Sequence, residues 1–199
     1  MTTPAAPEAP RILVVDDLTA IHEDFRKILA PGHTPAALRA AADALFGSVS
    51  APDPGIQFTL DCAQQGQEAL ELVTAAVAAG RPYSVAFVDM RMPPGWDGLE
   101  TTKRLWAADR DLQVVICTAY TDHSWAEMVN QLGRSDRLII LKKPFESIEV
   151  LQLAHALARK WEITRRDRAH MAQLDRTVTD RTRELHVAEE RFAQAFSAS

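Results

Sequence analysis

Residues 83–95 read Tyr83-Ser84-Val85-Ala86-Phe87-Val88-Asp89, then Met90-Arg91-Met92-Pro93-Pro94-Gly95. A short apolar run that ends in a carboxylate and then breaks at prolines and a glycine is the pattern of a strand buried on both faces. The same pattern stands at 11–16, Arg-Ile-Leu-Val-Val-Asp, where the acid is doubled by Asp17. Apolar runs at 56–63, 113–118 and 137–142 predict three further strands. Helical spacing fills the gaps: Ile21, Phe25, Ile28 and Leu29 in 19–30; Ala69, Leu70, Val73, Ala76 and Val77 in 67–79; and further helices over 99–108 and 125–132. Strands alternating with helices imply an α/β fold, a doubly wound five-stranded parallel sheet with helices on both faces.

Composition narrows the function classes. The chain has 199 residues, enough for one domain and an appendage. Apolar residues make up 47%, charged residues 25%, and the formal net charge is -5. With that balance and no basic cluster, direct nucleic-acid binding is not expected. Cys62 and Cys117 lack metal-ligand spacing and read as two thiols in a reducing compartment. Residues 1–10 are an Ala/Pro-rich flexible leader without an apolar signal core, and no run is long enough to span a bilayer. A cytoplasmic segment without membrane contact is the expectation. Residues 31–57, with Pro31-Gly32 and a Pro/Gly-containing stretch at 50–55, form a long insertion in which Leu38, Ala42 and Leu45 suit a short helix.

In an open parallel sheet, ligands bind at the carboxyl ends of strands where the winding reverses. Asp16 and Asp17 end the first strand and Asp89 the third, and these strands are neighbours in the order 2-1-3-4-5. Three carboxylates so placed raise one another's pKa unless a cation is present, and a hard divalent ion, Mg2+ (or Mn2+), is the simplest resolution. Thr118 ends the fourth strand with a hydroxyl, and Lys143 follows the fifth with an ammonium. Singly, these residues read as a capping acid, a turn acid, a strand-end hydroxyl and a surface charge. Together they suit an oxyanion carried on Asp89, the chemistry of phosphoryl transfer to a carboxylate.

Val15-Asp16-Asp17, Val88-Asp89-Met90-Arg91-Met92-Pro93, Asp97-Gly98, Thr118-Ala119 and Lys143-Pro144-Phe145 resemble the response-regulator receiver family over residues 11–160. The resemblance implies a flavodoxin-like fold and phosphoryl acceptance by Asp89 from a histidine kinase or phosphotransfer protein. It implies that Asp17, Asp16, Asp89 and the Arg91 backbone carbonyl hold the Mg2+, while Thr118 and Lys143 hold the phosphoryl oxygens. Lys142 takes a solvated role. A receiver accepts and loses its own phosphoryl group and is otherwise not an enzyme; a degenerate receiver, used only for docking and dimerisation, is the alternative. Three departures stand out. The loop 92–97 is one residue longer than usual, which either puts Trp96 over the pocket or is a plain bulge. Ile140 occupies the place of the usual switch aromatic, with Tyr120 as a possible substitute. The insertion 31–57 either covers a docking surface or is a spacer.

From 147 onward the chain has no Gly or Pro and reads as one helix, roughly 75 Å long at 1.5 Å per residue. Met171, Leu174, Val178, Arg181, Leu185, Ala188, Phe192 and Ala195 alternate three and four, a heptad seam interrupted by Arg181. Leu157, Trp161 and Thr164 run in another phase, so a local irregularity is expected at 168–171. The seam predicts a homodimer, parallel, through this helix. Residues 178–185 resemble linker helices before sensor or kinase modules, and 190–199 resemble the opening of a PAS domain. The implied parent is a hybrid histidine kinase, with a diguanylate cyclase as runner-up.

Overall fold

Each apolar run becomes a strand of one sheet in the computed structural model, which describes residues 9–30, 57–119, 132–133 and 135–197. The strands are β1 Arg11–Val15, β2 Thr59–Ala63, β3 Val85–Asp89, β4 Gln113–Thr118 and β5 Leu138–Lys142. All are parallel, in the expected order β2-β1-β3-β4-β5. The described helices are α1 Thr19–Leu29, α2 Gly66–Ala78, α3 Gly98–Ala108 and α4 Ser147–Ser197. None of them is long and apolar enough to cross a membrane.

Side chains alternate across a strand, so one run of apolar residues supplies two cores. Leu13, Val15, Ala86, Val88, Val114 and Ile116 meet Val73 of α2 and Leu105 of α3 on one side. Ile12, Val14, Val85, Phe87 and Val115 meet Phe25 of α1 and Val150 and Leu157 of α4 on the other. Phe25 stacks obliquely on Phe87 at 4.9 Å and edge-on to Phe145 at 5.9 Å. The geometry explains why the strands read as continuously apolar: no central strand has a wet face.

The two residues before β3 tie this end of the sheet together. The Ser84 backbone N–H and hydroxyl both donate to the Arg11 carbonyl, at 2.8 and 2.9 Å. The Tyr83 hydroxyl donates to Asp61 Oδ2 at 2.9 Å. The Arg11 guanidinium completes a tie at this end of the sheet: 2.6 Å to Asp61 Oδ2, 2.9 Å to the Tyr83 oxygen, and 4.2 Å above the Tyr83 ring. Burial first, and the bond to Asp61 second, push the Tyr83 phenol well above its ordinary pKa, so it stays a donor. This tie pins the edge strand β2 to the centre of the sheet.

The expected irregularity at 168–171 is absent: α4 is helical throughout its 51 residues. No Gly or Pro interrupts its backbone hydrogen bonds. The hydroxyls of Thr177, Thr179 and Thr182 also donate to the carbonyls four residues back. Moreover, one seam position does run through at seven-residue spacing, from Val150 and Leu157 through Thr164 to Met171 and Val178. The chain divides into two compact units, 1–161 and 162–199. In the second, Met171 is 61%, Leu174 47% and Val178 63% exposed. The leader before residue 9, the insertion 31–56, Tyr120 and the helix expected at 125–132, apart from Leu132, lie outside the described residues.

Replacing Arg11 by Met leaves Asp61 and Tyr83 without their shared cation. Urea unfolding should show a loss of about 1–2 kcal/mol; a midpoint equal to that of the unaltered chain would show that the tie contributes nothing.

Candidate functional site

The strand ends place the acids. Asp16 extends the β1 ladder by one bond, its N–H donating to the Ala63 carbonyl at 3.1 Å, and is 2% exposed. Its Oδ1 accepts from the Leu18 N–H at 3.0 Å, which turns the chain toward α1. Asp89 closes β3, and its Oδ2 accepts from the Arg91 N–H at 3.0 Å. Lys143 is set just past β5 by its own N–H, which donates to the Thr118 carbonyl at 2.8 Å.

Lys143 then joins the two acids. Its Nζ donates to Asp89 Oδ1 at 2.7 Å and to Asp16 Oδ2 at 2.9 Å. Burial works against the Lys143 charge, but the bonds to Asp89 and Asp16 outweigh it and hold the pKa above its ordinary value. Asp89 also sits above its ordinary value: burial raises it, Lys143 and the Arg91 N–H oppose, and Asp16 adds to the rise. One ammonium is thus divided between two carboxylates, and at Asp89 burial outweighs its share of that charge.

Of the residues the sequence singled out, Asp16, Asp89 and Lys143 are in direct contact. Thr118 ends β4, 5% exposed, with its hydroxyl donating to the Ala119 carbonyl at 3.1 Å. Asp17 is half-buried beside Asp16, and the Arg91 side chain is exposed while its backbone binds Asp89. Lys142 is exposed, and Ile140 packs against the α2–α3 core. Among the described residues no three His, Cys, Asp or Glu side chains converge as a ready metal cluster. The donor set is nevertheless all hard oxygen, and three carboxylates against one ammonium leave an excess negative charge. That chemistry fits a magnesium-like ion.

The sequence reading gave Asp97 and Gly98 no role of their own. Asp97 caps α3, its Oδ1 accepting from the Glu100 N–H at 2.8 Å. A Cβ at Gly98 would fall 2.6 Å from the Asp89 carbonyl oxygen and 3.0 Å from the Met90 Cα. Gly98 therefore lets α3 start directly against the backbone of Asp89. An Asp-Gly pair opening a helix was the available signal; the close approach behind it was not. Trp96 packs on Gly66, with the Arg104 guanidinium 5.1 Å above its ring, which favours a plain bulge over a cover for Asp89.

Acids at the ends of β1 and β3, a hydroxyl at the end of β4 and a lysine after β5, on a 2-1-3-4-5 sheet, define a class of phosphotransfer signalling domain. The response regulator receiver domain family matches residues 53–155, and the chain belongs to it. That match begins beyond β1, yet β1 with its two acids lies hydrogen-bonded between β2 and β3. The chain is 31% identical over 150 residues to the response regulator MprA of Mycolicibacterium vanbaalenii, covering 75% of this chain and 51% of that protein. It is 34% identical over 88 residues to sporulation initiation phosphotransferase F of Bacillus subtilis, covering 44% of this chain and 64% of that one. A solved structure described as adenylate cyclase from Rhodopirellula baltica superposes with a TM-score of 0.61 at 20% identity, over 83% of this chain and 98% of that one. That last likeness is one of fold. The chain spans about half the length of the MprA regulators it matches.

Because the folded pKa of Asp89 is raised, its contribution to stability is fully present below the ordinary carboxylate value and is lost as pH rises through the folded value. At neutral pH the ionised form is therefore a net cost. Asp89→Asn should raise the Tm by a few degrees at pH 7.5 in chelator, with the gain shrinking toward pH 4. A lower Tm for the variant at pH 7.5 would contradict the electrostatic reading.

Proposed function

We propose that Asp89 accepts a phosphoryl group from the phosphohistidine of a histidine kinase or phosphotransfer protein. The observation that carries this reading is the Asp89 carboxylate at the end of β3, gripped by Lys143 and the Arg91 N–H beside a second buried acid. Family membership and the resemblance to a phosphotransferase support it.

An Asp89 carboxylate oxygen forms the new P–O bond as the P–N bond to histidine breaks, and the departing imidazole takes up a proton. Asp89 needs no deprotonation step, because its carboxylate is the attacking form. Lys143 is already on Asp89 Oδ1, where it neutralises charge on the incoming phosphoryl group. The Thr118 hydroxyl, bonded to its neighbour's carbonyl, is the donor at the end of β4 that turns to a phosphoryl oxygen. Asp16, Asp17, Asp89 and the Arg91 carbonyl would hold Mg2+, which when bound supplies positive charge to the transferring oxygens. The product carries roughly -1.5 to -2 in charge at neutral pH, and only its differential interaction with two conformations shifts an equilibrium between them.

Output passes to a second copy through α4. Met171, Leu174 and Val178 are apolar, exposed and spaced three and four, on a helix whose other residues there are largely polar. A second identical stripe is its natural complement. The dimer carries the signal to an output module of the longer protein.

Incubation with acetyl phosphate and Mg2+ should add the mass of one phosphoryl group. The gain should vanish in Asp89→Asn and in chelator, and its rate should fall about a hundredfold in Lys143→Met. A wild-type chain that takes up nothing is a docking module rather than an acceptor. Separately, light scattering at tens of micromolar should show a dimer that Leu174→Glu with Val178→Glu makes monomeric; a monomeric wild type rules the seam out as the dimer contact.

A further inference from the structure

The residue before α2 is a glutamine whose carbonyl accepts the first helical bond, from the Ala69 N–H, but whose side chain does nothing for its own helix. Gln65 stands at the N-cap position in extended backbone, but its side chain makes no capping hydrogen bond. Short side chains such as Ser, Asp or Asn cap helices well, and a glutamine is too long for that task. Its carboxamide instead reaches the loop that follows Asp89. Nε2 donates to the Pro93 carbonyl at 3.4 Å, a long bond. The other end of the amide is seated more tightly. A Cβ at Gly95 would fall 2.0 Å from Gln65 Oε1 and 3.2 Å from its Cδ, so only a glycine leaves room for the carboxamide. Oε1 is buried there with no hydrogen-bond partner. Turning the amide over would point that oxygen at the Pro93 carbonyl, acceptor against acceptor. An unpaired buried oxygen and a side chain that caps nothing are poor stabilisers. What the glutamine does do is hold residues 93–95.

Elsewhere that loop is held by Met92, buried in the core, by Trp96 on Gly66, and by backbone bonds at its ends. The Arg91 N–H is tied to Asp89 Oδ2, and the Gly98 N–H to the Met90 carbonyl at 3.0 Å. Within it, the Gly95 N–H donates to the Met92 carbonyl at 3.1 Å, a turn that does not reach the rest of the fold. Gln65 grips the middle from the β2–α2 connection. We propose that Gln65, seated against Gly95, is a positioning residue: it holds the 92–97 loop, and through it the Arg91 carbonyl, for the divalent cation. The longer loop noted in the sequence thereby acquires its anchor. This inference rests on the Mg2+ reading given under Proposed function.

Two substitutions release the anchor by different routes. Gln65→Met keeps the length and removes the N–H donor. Gly95→Ala keeps the glutamine and displaces the flexible end of its side chain; the backbone at Gly95 is not left-handed, and the other close atom, Gln67 Oε1 at 3.1 Å, is also the end of a flexible side chain. The measurement is calorimetric titration of the full chain with magnesium chloride alone. Each variant should bind Mg2+ about three- to tenfold more weakly. The double variant should bind no more weakly than either single one, since both break one contact. Melting in chelator should stay within a few degrees of wild type, which a merely structural role would not predict alongside the lost affinity. Wild-type affinity in both single variants, or losses that multiply in the double variant, overturns the proposal. A wild-type chain that binds no Mg2+ overturns both this proposal and the reading beneath it, and is thereby distinguished from failure of the anchor alone.

Discussion

One ammonium shared between a buried and a half-buried carboxylate organises the carboxyl edge of this sheet. Lys143 starts just past β5 and bonds Asp89 on β3 and Asp16 after β1, so its side chain passes the end of β4, where Thr118 stands. The pair of contacts ties three strands together at their most polar point. Burial outweighs the share of the ammonium that reaches Asp89 and holds its pKa above the ordinary carboxylate value. A buried charge cluster of that kind is unstable by itself and receptive to a further cation or to conversion of a carboxylate into an ester-like phosphate.

The backbone behind Asp89 is built to keep that cluster in register. Gly98 allows α3 to begin against the Asp89 carbonyl, and Asp97 caps the helix at the same point. At the opposite end of the sheet, Arg11, Asp61 and Tyr83 hold the edge strand. The acids are therefore mounted on strands locked at both ends, while the loop between Met92 and Asp97 rests on side chains: Gln65 under Gly95, and Gly66 and Arg104 around Trp96.

The long helix obeys a different logic. Up to Leu157 and Ala158 its apolar face is buried by the sheet. In the second unit, apolar residues at related spacing are exposed. Helix formation needs only local bonds and good helix formers, so α4 forms whether or not its stripe is covered. That is why the helix runs on unbroken past the covered part of its stripe.

Most of the fold was legible in the residues, because strands buried on both faces write themselves as apolar runs and helices as three-and-four spacing. Asp16, Asp89, Thr118 and Lys143 were legible for the same reason: each stands at the end of such a run, and the order of strands brings those ends to one edge. Tertiary structure alone decided which of them touch. Lys143 meets both Asp16 and Asp89, while Asp17 stays outside those contacts, since side-chain direction depends on strand twist and on the turn after each strand. The roles of Gly98, Gly95 and Gln65 were likewise invisible, because a close approach between segments far apart in sequence leaves no local pattern. Sequence determined where the charges stand along the chain; packing determined how one lysine is divided among them.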